Sequence, residues 1–273
     1  MQPANAGLLP ASQRDRDKSA VLSANAQWNG LYLTGAADAL ITAAMTVAGV
    51  VSFIVWPPPS EATVTEWFAL FQDNWLRGML SLDLLILVAY IALIPVVLAL
   101  FIALRRTSAS LTALAATLGL VAIATYFAST RVFEMLALSQ QYAAATTDAE
   151  RLTLVAAGQS MLTTYLGAFA PPMLIPGWSY QGTAFNLSFV LWCVAAVMIS
   201  VVMLRSASFG KITGCFGIVG NIAALGLFLP VIGVVLSLVS LAVLLVWYLL
   251  IARGLFQLSR GPEALADIHE AQA

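Results

Sequence analysis

Hydrophobic residues fall along this chain in long unbroken blocks, separated by short polar punctuation. The first block runs over about residues 31–56 and is closed by Pro57-Pro58-Pro59. Further blocks cover about residues 79–104, 111–138, 183–204, 212–229 and 231–252. Each is ~18 residues or longer, enough for a helix rising ~1.5 Å per residue to cross ~30 Å of hydrocarbon. Strands would leave backbone groups unpaired in lipid, so the pattern predicts helices. The fold expected is all-α: a polytopic bundle of six transmembrane spans at about 31–56, 79–104, 111–138, 183–204, 212–229 and 231–252. It occupies residues 29–253, between a polar N-terminal tail (1–28) and a polar C-terminal tail (254–273).

Two stretches do not fit the simple pattern. Between the first two blocks, Glu61, Glu66, Trp67, Phe68, Asp73 and Trp75 suggest a short helix lying in the membrane interface, where Trp partitions readily. Residues 148–169 open with Asp148 and Glu150, which suit a helix N-terminus, and become moderately apolar before Pro171 and Pro172. This stretch is either an outer-face helix or a seventh span. Basic residues choose between the two. With six spans and both termini cytoplasmic, Arg14, Arg16, Lys18, Arg105, Arg106, Arg205, Lys211, Arg253 and Arg260 all face inward, against Arg77, Arg131 and Arg151 outside. A seventh span would erase that bias, so six are expected, with 148–169 on the outer face.

Composition agrees. Hydrophobic residues make up 61% of the chain and charged residues 9%, against ~45–50% and ~25% in ordinary soluble domains. A net charge of −1 argues against nucleic acid, which requires a basic surface. Cys193 and Cys215 both lie within apolar blocks at different expected depths, so no disulfide is expected, and His269 is the only histidine. No imidazole is thus offered inside the membrane to haem or chlorophyll, no metal-ligand cluster is visible, and no nucleophile motif stands out. No cofactor is expected. Gly214, Gly217, Gly220 and Gly226 form a small-residue stripe that suits close helix packing.

Charge inside the apolar blocks is the remaining functional signal. Asp83, Arg131 and Glu134 are expected at similar depth near the outer face, with Arg131 pairing Asp83 or Glu134, or both, in the bundle interior. Asp38, one or two turns into the first block, is a weaker candidate. The group reads either as an interhelical tie or as a small polar binding cavity. The functional expectation is a non-enzymatic integral membrane protein with a small binding or partner-facing role. A carrier or channel for a small solute or ion is the first alternative, and a membrane-embedded enzyme the second. Membrane lipids are the expected partners, with a homo-oligomer or a membrane partner left open.

The polar punctuation also resembles a known family. The residues that carry the likeness are Glu150-Arg151 with Ala156-Ala157-Gly158-Gln159, Gly182-Thr183-Ala184-Phe185-Asn186, Met203-Leu204-Arg205-Ser206 and Phe209-Gly210-Lys211. Pro230-Val231-Ile232-Gly233, Trp247-Tyr248-Leu249-Leu250-Ile251-Ala252-Arg253 and Leu255-Phe256-Gln257-Leu258 continue it, along with Asp83 and Arg131. These stretches resemble the uncharacterised bacterial multi-pass membrane family known as domain of unknown function 4386 (DUF4386). Gly254 departs from the pattern, standing where a second basic residue is usual. The resemblance implies a bacterial cytoplasmic membrane protein and brings no activity, substrate or catalytic residue with it.

Overall fold

The computed structural model describes residues 27–56, 59, 63–165, 182–229 and 232–260. Its elements are α1 (Asn29–Val55), α2 (Val64–Asp73), α3 (Trp75–Leu82), α4 (Leu84–Leu104), α5 (Ala109–Ser129), α6 (Val132–Ala144), α7 (Asp148–Tyr165), α8 (Thr183–Arg205), α9 (Lys211–Leu225, followed by a 3-10 turn at Gly226–Phe228) and α10 (Gly233–Ser259). The tails over residues 1–26 and 261–273, the end of the 148–169 stretch and the Pro230-Val231 turn lie outside the described residues.

Six helical segments, built on α1, α4, α5 with α6, α8, α9 and α10, are long and apolar enough to cross a membrane. Each span packs on two neighbours, closing a ring in the order α1, α4, α5, α8, α9, α10 and back to α1. Neighbours run in opposite directions: Gly35, early in α1, meets Ala99 late in α4 and Leu255 late in α10. Buried Leu93, Val97, Leu100, Ala122, Trp192, Ala196, Tyr248 and Ile251 fill the centre. Outward-facing Leu33, Leu40, Ile54, Ile212, Ile222, Val235 and Leu238 are exposed. Such a surface is unfavourable in water and suits a lipid solvent.

The small-residue stripe on α9 permits close approach, as expected. At Gly217 a methyl group would collide with Ser200 Oγ of α8 and with the Trp247 indole of α10. Gly220 and Gly226 face Leu244 and Leu236 of α10 in the same way. On the same helix, Asn221 Nδ2 donates to the Gly217 carbonyl one turn back, at 2.8 Å.

Two of the expected blocks are broken. The block at 79–104 is not one helix, because Asp83 leaves helical geometry (φ −167°, ψ −2°) and separates α3 from α4. Similarly, the block at 111–138 is interrupted after Ser129, where Thr130 and Arg131 (φ −130°, ψ 16°) leave helical geometry and separate α5 from α6. The interface helix expected between the first two spans is two helices, α2 and α3. Asn74 separates them, and its Oδ1 accepts the Arg77 amide at 3.0 Å to start α3. At the other end, α10 continues past the expected boundary at 253 to Ser259, held by buried Leu255 and by Gly254 against Phe209.

Helices α2, α3, α6 and α7 form a cap over one end of the ring, with its own core of Val64, Trp67, Phe68, Phe71, Met79, Leu82, Val132, Met135 and Leu162. Gln72 of α2 donates to the Ser139 carbonyl of α6 at 3.2 Å. Gly158 brings α7 against Val64 and Phe68, so α7 lies on the cap, and over its described residues it is not among the helices long and apolar enough to cross a membrane. Thr147 starts α7 with a reciprocal capping box: its Oγ1 accepts the Glu150 amide at 3.2 Å, while Glu150 Oε2 accepts the Thr146 and Thr147 amides at 3.1 and 3.2 Å.

The Thr147 and Thr146 amides hold the Glu150 carboxyl below its ordinary value of 4.5. The ionised form is therefore favoured by folding, and the contribution is full above pH 4.5 and fades as pH falls through the lower folded value. Acidification over that window should speed hydrogen exchange at the first turn of α7, and Glu150→Gln should flatten the response. Equal pH dependence in the two proteins would contradict this.

Candidate functional site

Charge divides the bundle into two ends. Arg105 and Arg106 between α4 and α5, Arg205 and Lys211 between α8 and α9, and Arg253 and Arg260 on α10 mark the basic end. There, the Arg105 guanidinium sits 5.7 Å from the Trp28 ring and that of Arg260 sits 4.3 Å from Phe256. The cap end carries Glu66, Asp73, Asp83, Glu134, Asp148 and Glu150 with Arg77, Arg131 and Arg151.

Asp83 sits where α3 hands over to α4, and its side chain is only 2% exposed. The backbone crosses the break without losing its hydrogen bonds, since the Asp83 amide donates to Met79 and its carbonyl accepts from Leu87. Its carboxyl accepts the hydroxyl of Tyr126, from α5. Tyr126 stacks on Tyr90 of α4 with centroids 3.9 Å apart and meets Phe185 of α8 edge-on at 6.2 Å. Ser188, whose hydroxyl donates to the Ala122 carbonyl at 2.7 Å, faces the Tyr90 hydroxyl. Trp192 lies 6.5 Å from Tyr90 and engages Tyr248, which in turn packs on Trp247 at 5.2 Å. A buried column of polar aromatic groups thus descends from Asp83 at the cap end to the middle of the ring.

Arg131 and Glu134 do come together, at 3.6 Å, but not in the bundle interior. Their side chains are 31% and 46% exposed, at the start of α6, which packs on the cap helices. Arg131 also donates to the Thr130 carbonyl at 3.1 Å. A half-exposed pair of this kind contributes ~0–1 kcal/mol. The structure therefore gives the three grouped residues separate roles, with Asp83 and Tyr126 inside and Arg131 and Glu134 at the surface. Asp38 is remote from all of them. It is half-buried on α1, and the Gly35–Leu255 contact one turn before it places it level with Arg253, toward the basic end.

Removing the Tyr126 hydroxyl should show what the inner pair contributes. Tyr126→Phe keeps the ring stack and deletes one donor to a buried carboxyl, which is expected to destabilise by ~1–3 kcal/mol. Thermal unfolding in detergent measures it, and an unchanged midpoint would contradict the assignment.

A second feature lies where the end of α1 meets α3. Trp56, Asp73, Asn74, Leu76, Arg77 and Leu80 line a half-open hollow of 210 Å³. Its wall is held by Ser81, whose hydroxyl donates to the Trp56 carbonyl at 3.3 Å. Trp56, Trp75 and Leu76 are exposed beside it. Arg77 and Asp73 both face the hollow, yet their side chains make no ion pair or hydrogen bond among the described residues, and Arg77 Nε is buried with no acceptor. From sequence, Arg77 registers only as an outer charge. The hollow depends on the Asn74 break that folds α3 back beside α1, and no spacing rule exposes that.

No family model matches the chain, and no curated protein or solved structure does. The geometry itself identifies an architecture: a multi-pass helical bundle with six membrane-length spans and a folded cap at one end.

Proposed function

We propose that this chain is a non-enzymatic integral membrane protein of a bacterial cytoplasmic membrane, with its termini inside and its cap outside, whose role is to bind a small ligand at the outer headgroup boundary. The orientation is supported by the basic end, since cationic loops are retained in the cytoplasm. The bacterial assignment is supported by the resemblance to DUF4386, membership of which is part of the proposal. One observation carries the binding role: the 210 Å³ hollow at the rim of the cap, which has two unpaired charged side chains in its wall and interfacial Trp residues beside it. A structural tie has no use for opposite charges that face the same space without meeting.

Native mass spectrometry of the detergent-purified protein tests this. About one small molecule per chain should survive delipidation, and Leu80→Trp, which fills the hollow, should release it. A wild-type chain that retains nothing would contradict the reading.

A carrier remains the second reading, favoured by the buried column from Asp83 through Tyr126 and Tyr90 to Tyr248. It requires solute or proton flux in proteoliposomes that falls with Tyr90→Phe. The binding reading requires no flux.

A further inference from the structure

We infer that the hollow is an outer-leaflet lipid site selective for an aminophospholipid, with the headgroup phosphate on Arg77 and the headgroup ammonium on Asp73. The inference rests on the proposed binding role and names the ligand class for the same hollow.

The chemistry follows from the walls. Arg77 lines the hollow and its guanidinium makes no ion pair or hydrogen bond among the described residues, so its terminal N–H groups are suited to a phosphate, which they can engage through two parallel hydrogen bonds. Asp73 changes the answer from any anion to a particular one. A carboxylate in the wall repels a second negative charge, so a lipid carrying only anionic groups is disfavoured. A primary ammonium placed two carbons from the phosphate satisfies both walls and donates hydrogen bonds to Asp73. A quaternary ammonium carries the same charge but has no N–H to donate. A hollow of 210 Å³ has room for a small polar headgroup.

The placement selects a lipid over a soluble ion. Trp56 closes the first span, and Trp75, at the start of α3, is 57% exposed beside the hollow. Tryptophan is enriched where headgroups meet acyl chains. Leu76 and Leu80 line the same space and offer apolar contact to the glycerol and upper acyl carbons of a lipid whose headgroup enters between Arg77 and Asp73.

The test uses the full chain in nanodiscs and in detergent, with phosphatidylethanolamine, phosphatidylcholine and phosphatidylglycerol offered separately. Bound lipid is counted by native mass spectrometry, and affinity is followed by tryptophan fluorescence. Phosphatidylethanolamine should bind about tenfold or more tighter than the other two, the difference expected of one charge-assisted hydrogen bond. Asp73→Asn should abolish the preference over phosphatidylcholine, while Arg77→Gln should weaken both lipids and Arg77→Lys should restore part of the binding. Because Asp73 is exposed and Arg77 only half-buried, both variants should elute and unfold like the wild type.

Equal affinity for ethanolamine and choline lipids, or a preference that survives Asp73→Asn, would overturn the inference. So would soluble phosphoethanolamine that displaces the lipid at equal concentration. If another ligand occupies the hollow, the inference fails and the proposed binding role stands. If nothing occupies it, both fail.

Discussion

Gly217→Leu is expected to be the most damaging single change in the spans, lowering stability by ~3 kcal/mol or more. The first added carbon already meets Ser200 Oγ and the Trp247 indole, and the remaining carbons of leucine have nowhere to go between α8, α9 and α10. Both neighbours are fixed: Ser200 donates to the Ala196 carbonyl at 2.7 Å, and Trp247 is 2% exposed. A methyl group added at Gly49 of α1 meets nothing within 4 Å. Gly49→Ala should therefore be neutral or stabilising by up to ~1 kcal/mol, through helix propensity alone. Thermal midpoints of the two variants in one detergent give the comparison. If they fall equally, the packing account of the α9 stripe is wrong.

Trp67→Ala should be the most damaging change in the cap, at ~3–5 kcal/mol for a large buried aromatic. Trp67 is 1% exposed and sits among Phe68, Phe71 and Met79, within a core that also takes in Tyr126 of α5 and Phe185 of α8. The pattern of damage matters more than its size. Hydrogen exchange should accelerate across α2, α6 and α7 while α9 and α10 keep their protection, because the core around Trp67 reaches the ring through α4, α5 and the start of α8 and not through α9 or α10. Uniform acceleration through all six spans would mean that the cap and the ring unfold as one unit.

Span number was legible because lipid imposes length and apolarity on each helix independently, whatever its neighbours are. The chain breaks were not. Asp83 and Arg131 read as ordinary charged residues inside long apolar blocks, and an apolar block looks the same whether it continues straight or turns. The depth of the charge pair was not legible for the same reason. Arg131 and Glu134 share a helix face by spacing, and they do meet, but which way α6 points depends on the break before it. Asp83 is buried as expected, yet its carboxyl accepts a tyrosine hydroxyl from another helix, and a phenol within an apolar run gives no sign of what it will face. Helix α7 shows the opposite case. Its charge logic placed it outside the membrane, and the structure lays it on the cap through Gly158.

The central claim is that six spans separate a folded outer cap from a basic cytoplasmic end. Single cysteines test it most directly, in a background with Cys193 and Cys215 replaced by serine. Gln140→Cys reports the cap and Arg106→Cys the turn between α4 and α5; both positions are exposed. With a membrane-impermeant maleimide, the cap position should label in intact cells and the turn position only after permeabilisation. Labelling of both in intact cells, or the reverse pattern, would contradict the account.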